Sequence, residues 1–318
     1  MPRQPRFMQS RLNDNSDTLA AARAALLRTP ASASPKFFYD RIGSCLFEAI
    51  TELPEYYPTR TEAAIFAAHG AAMAREVGAG ATLIDLGAGN CAKATRLFPL
   101  LEPRQYVAVD ISVDFLHDAL RRVQREHPAL DVVGLGLDFS ESLDLPPAVV
   151  EHRPAFFYPG SSIGNFTPDE ALAFLQRVRE QAEGGGLLIG VDLVKPATVL
   201  EAAYDDALGV TAAFNLNLLR HLNHLLGADF DPREWRHIGL YNAPLSRVEM
   251  HLEARAALTV RWPGGERAFA AGERIHTENS CKYTVDGFAA LLQQAGFAKH
   301  KHWTDERGWF AVFWAGAD

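Results

Sequence analysis

The chain has 318 residues, 48% of them apolar, and a formal charge of -8. That length buries a substantial core and accommodates one larger and one smaller lobe. The acidic balance, with no long Lys/Arg cluster, argues against nucleic acid as the partner and favours a small-molecule substrate. Cys45, Cys91 and Cys281 form no C-x-x-C pair, which argues against a disulfide framework and a cysteine zinc site and suits the cytoplasm. No apolar run reaches the ~20 residues of a membrane span. The opening MPRQPRFMQSRLNDNSDT lacks the apolar core of a signal peptide and reads as a loosely held terminus.

Asp17 to Leu27 reads as an alanine-rich helix, succeeded by the loop PASASP. Leu46, Phe47, Ile50 and Leu53 are spaced for one helix face, which Pro54 ends. Glu55 to Arg60 is expected as an extended loop presenting Tyr56 and Tyr57 ahead of a helix from Thr61 to Glu76. Loops of this kind carry binding groups, although both tyrosines also suit half-buried packing with their hydroxyls at the surface.

The stretch ATLIDLGAGNCAKATRL, residues 81 to 97, is the one around which the rest of the chain is organised. Thr82, Leu83, Ile84 and Leu86 predict a buried strand, Gly87 and Gly89 a tight turn, and Ala92 to Leu97 a helix. This order places a nucleotide-bearing cofactor at the carboxyl edge of a parallel sheet beside a helix N-terminus. The turn lacks the third glycine of the dinucleotide fingerprint. It resembles instead the first motif, D-x-G-x-G, of S-adenosylmethionine-dependent methyltransferases. The next strand, Tyr106 to Asp110, ends on an acid 23 residues after Gly87, placed to accept ribose hydroxyls or to cap the amphipathic helix after it. A third strand ends at Asp138-Phe139, a carboxylate and a ring suited to adenine, or else a turn acid and a core phenylalanine.

The fourth strand, Phe156 to Tyr158, breaks at Pro159-Gly160-Ser161-Ser162, the edge where such enzymes place methyl-acceptor contacts. Asn165 offers a donor and an acceptor to an amino-acid substrate, or caps the helix Pro168 to Ala182. After a fifth strand and Lys195-Pro196, the pattern changes. Glu201 to Leu226 reads as one long helix with Leu208, Leu218, Leu219, Leu222 and Leu225 in the core and Tyr204 in its first turns. His221 and His224 share a face but lack a third ligand, so no metal is expected. Ser246 to Ala270 reads as a hairpin in which Val248, Met250, Leu252 and Ala254 share a face and LTVRW returns. Met250 suits a plain core position. Glu278 and Ser280, if extended, point the same way, and a carboxylate with a hydroxyl can take the two nitrogens of an imidazole, or they are a solvated loop acid beside a serine that caps the helix before Asp286. A helix over VDGFAALLQQAGF and a hairpin turning at Asp305 to Gly308 complete the chain.

Three long motifs, YDRIGSCLFEAITELPEYYPTRTEAAI, PGSSIGNF and IHTENSCKY, resemble the histidine Nα-methyltransferases of ergothioneine biosynthesis, in their order and at compatible spacing. The resemblance implies an α/β, Rossmann-like class I methyltransferase sheet, mostly parallel with an antiparallel C-terminal hairpin, and a smaller α+β substrate lobe. Residues 61–195 and 286–318 would form the cofactor domain, and 1–60 and 196–285 the lobe closing over the substrate. The implied reaction is trimethylation of the α-amino group of L-histidine to hercynine, with S-adenosyl-L-methionine becoming S-adenosyl-L-homocysteine. Gly87, Lys93, Asp110, Asp138 and Phe139 would hold the cofactor. Asn165 and Tyr204 would hold the substrate carboxylate, with Gly160 beside them. Glu278 and Ser280 would hold the imidazole, with Met250 lining its pocket, and Tyr39 and Tyr56 would attend the amino group as the catalytic pair. A monomer without nucleic-acid or membrane partners is expected. The alternatives are the same fold acting on another amine, such as a tryptophan derivative, and a nicotinamide-dependent oxidoreductase.

Overall fold

The structure, a computed structural model, describes residues 3–9, 15–149 and 152–317. Its strands in chain order are β1 (Arg6–Gln9), β2 (Ala31–Ser32), β3 (Thr82–Leu86), β4 (Gln105–Asp110), β5 (Asp131–Gly136), β6 (Pro154–Tyr158) and β7 (Gly186–Asp192). They continue with β8 (Trp235–Asn242), β9 (Arg247–Ala254), β10 (Leu258–Trp262), β11 (Gly265–Phe269), β12 (Arg274–Cys281), β13 (Lys299–Thr304) and β14 (Phe310–Gly316). The chain forms two compact units. The first comprises Pro58–Val194 and Lys282–Asp318 with the N-terminal strand, and the second Leu12–Tyr57 and Lys195–Cys281.

The first unit is built on an eight-stranded sheet in the order β1-β5-β4-β3-β6-β7-β14-β13. β3, β6 and β7 are buried along their whole lengths, as their near-continuous apolar runs require of parallel strands covered on both faces. Strand order reverses at β3, so the carboxyl end of β3 lies at a topological switch point beside β6. β14 pairs antiparallel with both β7 and β13, closing the sheet with the expected hairpin. The N-terminus departs from its reading as a loose segment of the substrate lobe. β1 pairs parallel with β5, Phe7 stacks on His117 with ring centroids 3.6 Å apart, and Arg6 meets Asp131 at 2.8 Å.

The second unit contains the sheet β2-β12-β9-β8 and the ribbon β10-β11. The helix Arg41–Thr51 packs on the helix Val210–Leu226, and Asp40 joins them. Its Oδ1 caps the first helix through the Gly43 amide at 2.6 Å and accepts from Asn217 Nδ2 at 2.8 Å. Four expectations are corrected here. Tyr57 opens the helix Tyr57–Val77, so Tyr57 to Arg60 are helical rather than extended. The long helix is two, Ala197–Tyr204 and Val210–Leu226, because Asp206 accepts the Val210 and Thr211 amides while Gly209 turns left-handed at φ 75°. Tyr204 therefore ends a helix, and Leu208 in the break is 80% exposed instead of buried. Finally, β9 pairs with β8 and β12, while LTVRW pairs with β11 around Pro263-Gly264, a proline then a glycine at φ 88°.

Candidate active site

In the first unit, the turn after β3 runs through Gly87 at φ 71° and Gly89 at φ 51°, conformations that glycine adopts without strain. A Cβ built on Gly87 would meet nothing closer than the Phe139 ring at 3.8 Å, and one on Gly89 nothing closer than 4.0 Å. The turn is thus an open cradle with Phe139 on its rim. Phe139 is braced edge-on by Tyr158, with centroids 5.6 Å apart. Asp110 ends β4 and accepts the amides of Gly89 at 2.9 Å and Ser112 at 2.8 Å, one on each oxygen. Burial raises its pKa against those two amides and that of Ile111. A carboxylate has lone pairs beyond two such bonds, so Asp110 can still accept from a diol. Asp138 accepts from the Ser140 amide and hydroxyl at 3.1 and 2.5 Å. Glycine cradle, carboxylates and ring stand at the carboxyl ends of β3, β4 and β5, a donor and acceptor set that fits an adenosine-bearing cofactor.

Lys93 and Gly160 are joined by a residue the sequence reading missed. Glu62, 1% exposed, accepts from Lys93 Nζ at 2.7 Å through Oε2 and from the Gly160 amide at 2.7 Å through Oε1. The signal was present as an acid in the apolar stripe of its helix, in line with the buried Ile65, Met73 and Val77. Gly190 makes room for it, since a Cβ there would lie 2.0 Å from Glu62 Oε1. Asn165 closes a 3-10 turn over Ser162–Asn165 and is half-buried. It is not the cap of the next helix: Thr167 is, in a reciprocal capping box with Glu170. Beside the cradle, Asp85 receives the Tyr106 hydroxyl at 2.7 Å, and burial pushes its pKa up to about 7.

In the second unit, Glu278 of β12 stands opposite Met250 of β9, and Ser280 opposite Val248. All four are buried. A one-residue irregularity between His276 and Glu278 sets that register and leaves Glu278 and Ser280 on one face. The Tyr204 hydroxyl lies 2.7 Å from Ser280 Oγ. Tyr56 meets the Tyr204 ring edge-on at 6.2 Å, Phe47 meets Tyr56 at 6.2 Å, and Tyr39 meets Phe47 at 5.8 Å. Tyr39, Tyr56, Tyr204, Met250, Glu278 and Ser280 thus belong to this unit, and the aromatic ones form a continuous run. Tyr57 is a packing residue, 1% exposed under Lys195, whose ammonium sits 4.5 Å from the ring centroid.

The other face of β9 and β12 carries Glu249, His251 and His276, whose ligand-type atoms lie within 4.8 Å of one another. The Glu249 carboxylate is already engaged: Arg247 and Asn242 donate to Oε1, and His251 Nε2 lies 3.0 Å from Oε2. His221 and His224 take no part in this group, and His221 Nδ1 instead donates to the Phe37 carbonyl at 2.7 Å.

Comparison with known proteins shows the family. The model of a family described as histidine-specific, S-adenosylmethionine-dependent methyltransferases matches residues 18–317. The chain is 40% identical over 297 residues to a histidine N-alpha-methyltransferase of Mycolicibacterium smegmatis, covering 91% of this chain and 92% of that one. The likeness to the protein of that name from Mycobacterium tuberculosis is also 40%, over 296 residues and 91% of each chain. Ergothioneine biosynthesis protein 1 of Neurospora crassa is 30% identical over 289 residues, which span 86% of this chain and 32% of that protein. The nicotinamide-dependent alternative falls away, because the family model matched over residues 18–317 and these relatives are methyltransferases. The chain belongs to the histidine-specific, S-adenosylmethionine-dependent methyltransferases.

Proposed function

We propose that this enzyme transfers three methyl groups in succession to the α-amino nitrogen of L-histidine, giving the betaine hercynine. The observation that carries this reading is the buried polar set on one sheet face, where a carboxylate and a hydroxyl stand two residues apart beside a methionine. Glu278 accepts the N–H of the imidazole, and Ser280 serves the other ring nitrogen while bonded to Tyr204. A carboxylate accepts an N–H and gains nothing from an apolar ring, so a ring that supplies an N–H is selected over an apolar one. Tyr204 and Asn165 are assigned the substrate carboxylate, with Gly160 beside them. Tyr39 and Tyr56 are assigned the amino group, where aromatic faces favour the cation that grows with each methylation by about 1 kcal/mol each.

Gly87, Lys93, Asp110, Asp138 and Phe139 are the groups that would hold S-adenosylmethionine. When bound, that cofactor supplies an electrophilic methyl carbon on a good leaving group. The chain's own contribution is orientation: the neutral amine must be aimed in line at near-attack distance, and no strong base is required. Each transfer forms an N–C bond from the amine lone pair as the S–C bond breaks, and the displaced proton leaves before the next round.

Mass spectrometry of L-histidine incubated with enzyme and cofactor tests the reading. A gain of three methyl groups on the α-nitrogen is expected. Methylation of a tryptophan derivative with histidine left untouched would overturn it. No helix among the described residues is long and apolar enough to cross a membrane. We assign the enzyme to the cytoplasm, and we assign it a monomeric state, which the mass from light scattering of the pure protein checks.

A further inference from the structure

We propose that His237 and Asn215, neither of them among the substrate contacts, are positioning residues that hold Tyr204 and Met250 in register for histidine. The proposal rests on the reading that Tyr204 and Met250 line the histidine site.

Three side chains make a buried relay. Asn215 is 0% exposed, Thr277 is 1% exposed, and the His237 side chain is 2% exposed. Asn215 Nδ2 lies 2.8 Å from His237 Nδ1 and 3.1 Å from the His251 carbonyl. Asn215 Oδ1 accepts from Thr277 Oγ1 at 2.9 Å, and the same hydroxyl lies 3.0 Å from the Met250 carbonyl. His237 Nε2 lies 2.8 Å from the Tyr204 carbonyl.

The acceptors at the ends of the relay fix the Asn215 and His237 protons, while the single Thr277 hydroxyl proton is shared between Asn215 Oδ1 and the Met250 carbonyl. A carbonyl only accepts, so the Asn215 atom facing His251 must be the amide nitrogen, which settles the orientation of that side chain. The same nitrogen then donates to His237 Nδ1, so the ring carries its proton on Nε2. That proton points at the Tyr204 carbonyl, again an acceptor only. Burial lowers the His237 pKa, which keeps the ring in this neutral form near pH 7.

Tyr204 is the last residue of its helix, where carbonyls lack an intrahelical partner. Its carbonyl also seats on β8 where only glycine fits, since a Cβ on Gly239 would lie 2.7 Å from it. The Met250 carbonyl faces the irregularity in β12, where Thr277 is the extra residue and its hydroxyl lies 3.0 Å away. Tyr204 is therefore held at both ends, by His237 through its backbone and by Ser280 through its hydroxyl.

The test uses the full-length enzyme with four variants, His237→Ala, Thr277→Val, Thr277→Ser and Tyr204→Phe. Steady-state KM for L-histidine is measured beside the calorimetric Kd for S-adenosylhomocysteine. His237→Ala is expected to raise the histidine KM about tenfold, with the cofactor-product Kd within about twofold of wild type. Thr277→Val should move the histidine KM in the same direction by about threefold to tenfold, and Thr277→Ser should restore it. A histidine KM within twofold of wild type in both His237→Ala and Thr277→Val overturns the proposal, as does a parallel loss of both affinities in Thr277→Val. Where His237→Ala does not fold, the Thr277 pair decides. Tyr204→Phe separates the two levels: if it leaves the histidine KM unchanged, the underlying site assignment fails rather than the relay alone.

Discussion

Glu62 and Gly160 lie 98 positions apart in the chain and share a 2.7 Å hydrogen bond from the glycine amide to one carboxylate oxygen. The other oxygen holds the Lys93 ammonium at 2.7 Å. One buried carboxylate thus ties the helix after the glycine turn to the turn after β6, the two places to which cofactor and substrate contacts are assigned.

Glu62→Gln keeps an acceptor for the Gly160 amide but removes the charge opposite Lys93. A charge-assisted hydrogen bond contributes about 1.5 to 3 kcal/mol, so the Kd for S-adenosylhomocysteine should rise by about tenfold or more. Titration calorimetry measures it, and an unchanged Kd would show that Lys93 needs no such orientation.

Gly190→Ala should destabilise the fold by about 2 kcal/mol or more. The added methyl would sit 2.0 Å from Glu62 Oε1 and 3.0 Å from the Phe310 ring, in a strand buried along its whole length. Denaturant unfolding with a midpoint equal to wild type would refute this.

Glu278→Ala should lower kcat/KM for L-histidine by about a hundredfold, from a lost charged hydrogen bond of about 3 kcal/mol. The Kd for S-adenosylhomocysteine should stay close to wild type. Turnover near wild type would remove Glu278 from the imidazole.

Asp85 makes stability pH-dependent. Its pKa rises from 3.8 to about 7 on folding, so the native state holds a proton that the unfolded chain releases. The associated stability is complete below pH 3.8 and is lost as pH rises to about 7. Asp85→Asn, which retains an acceptor for Tyr106, should therefore gain Tm relative to wild type across that window, by up to about 4 kcal/mol of stability above it. A Tm difference that does not change between pH 5 and pH 8 would contradict this.

Lys282 and Asp192 form an ion pair at 2.8 Å with side chains 0% and 1% exposed. Lys282→Met leaves a buried carboxylate without its cation and should cost about 3 to 5 kcal/mol, whereas the double variant with Asp192→Leu should recover part of that loss. Urea unfolding of the three proteins decides it, and equal losses in single and double variants would argue against a coupled pair.

Features that depend on near neighbours in the chain were legible from the residues alone. The apolar run of β3, the left-handed demand met by Gly87 and Gly89, and the acids and ring closing β4 and β5 are local, and local chemistry leaves few alternatives. Alternation along β9 likewise announced an extended strand with Met250 on one face. Which strands flank it was a different matter, because a period of two fixes the faces and not the partners, and β8, whose Trp235, Ile238, Leu240 and Tyr241 do not keep a period of two, gave little signal of its own. Helix propensity favoured one rod through Tyr204. The break after it came from Asp206 capping the next helix and from His237 supplying the tyrosine carbonyl with a donor 33 positions away. Glu62 went unnoticed in the sequence for the same reason: its partners lie 31 and 98 residues off, and a buried charge declares its purpose only when folding brings them to it.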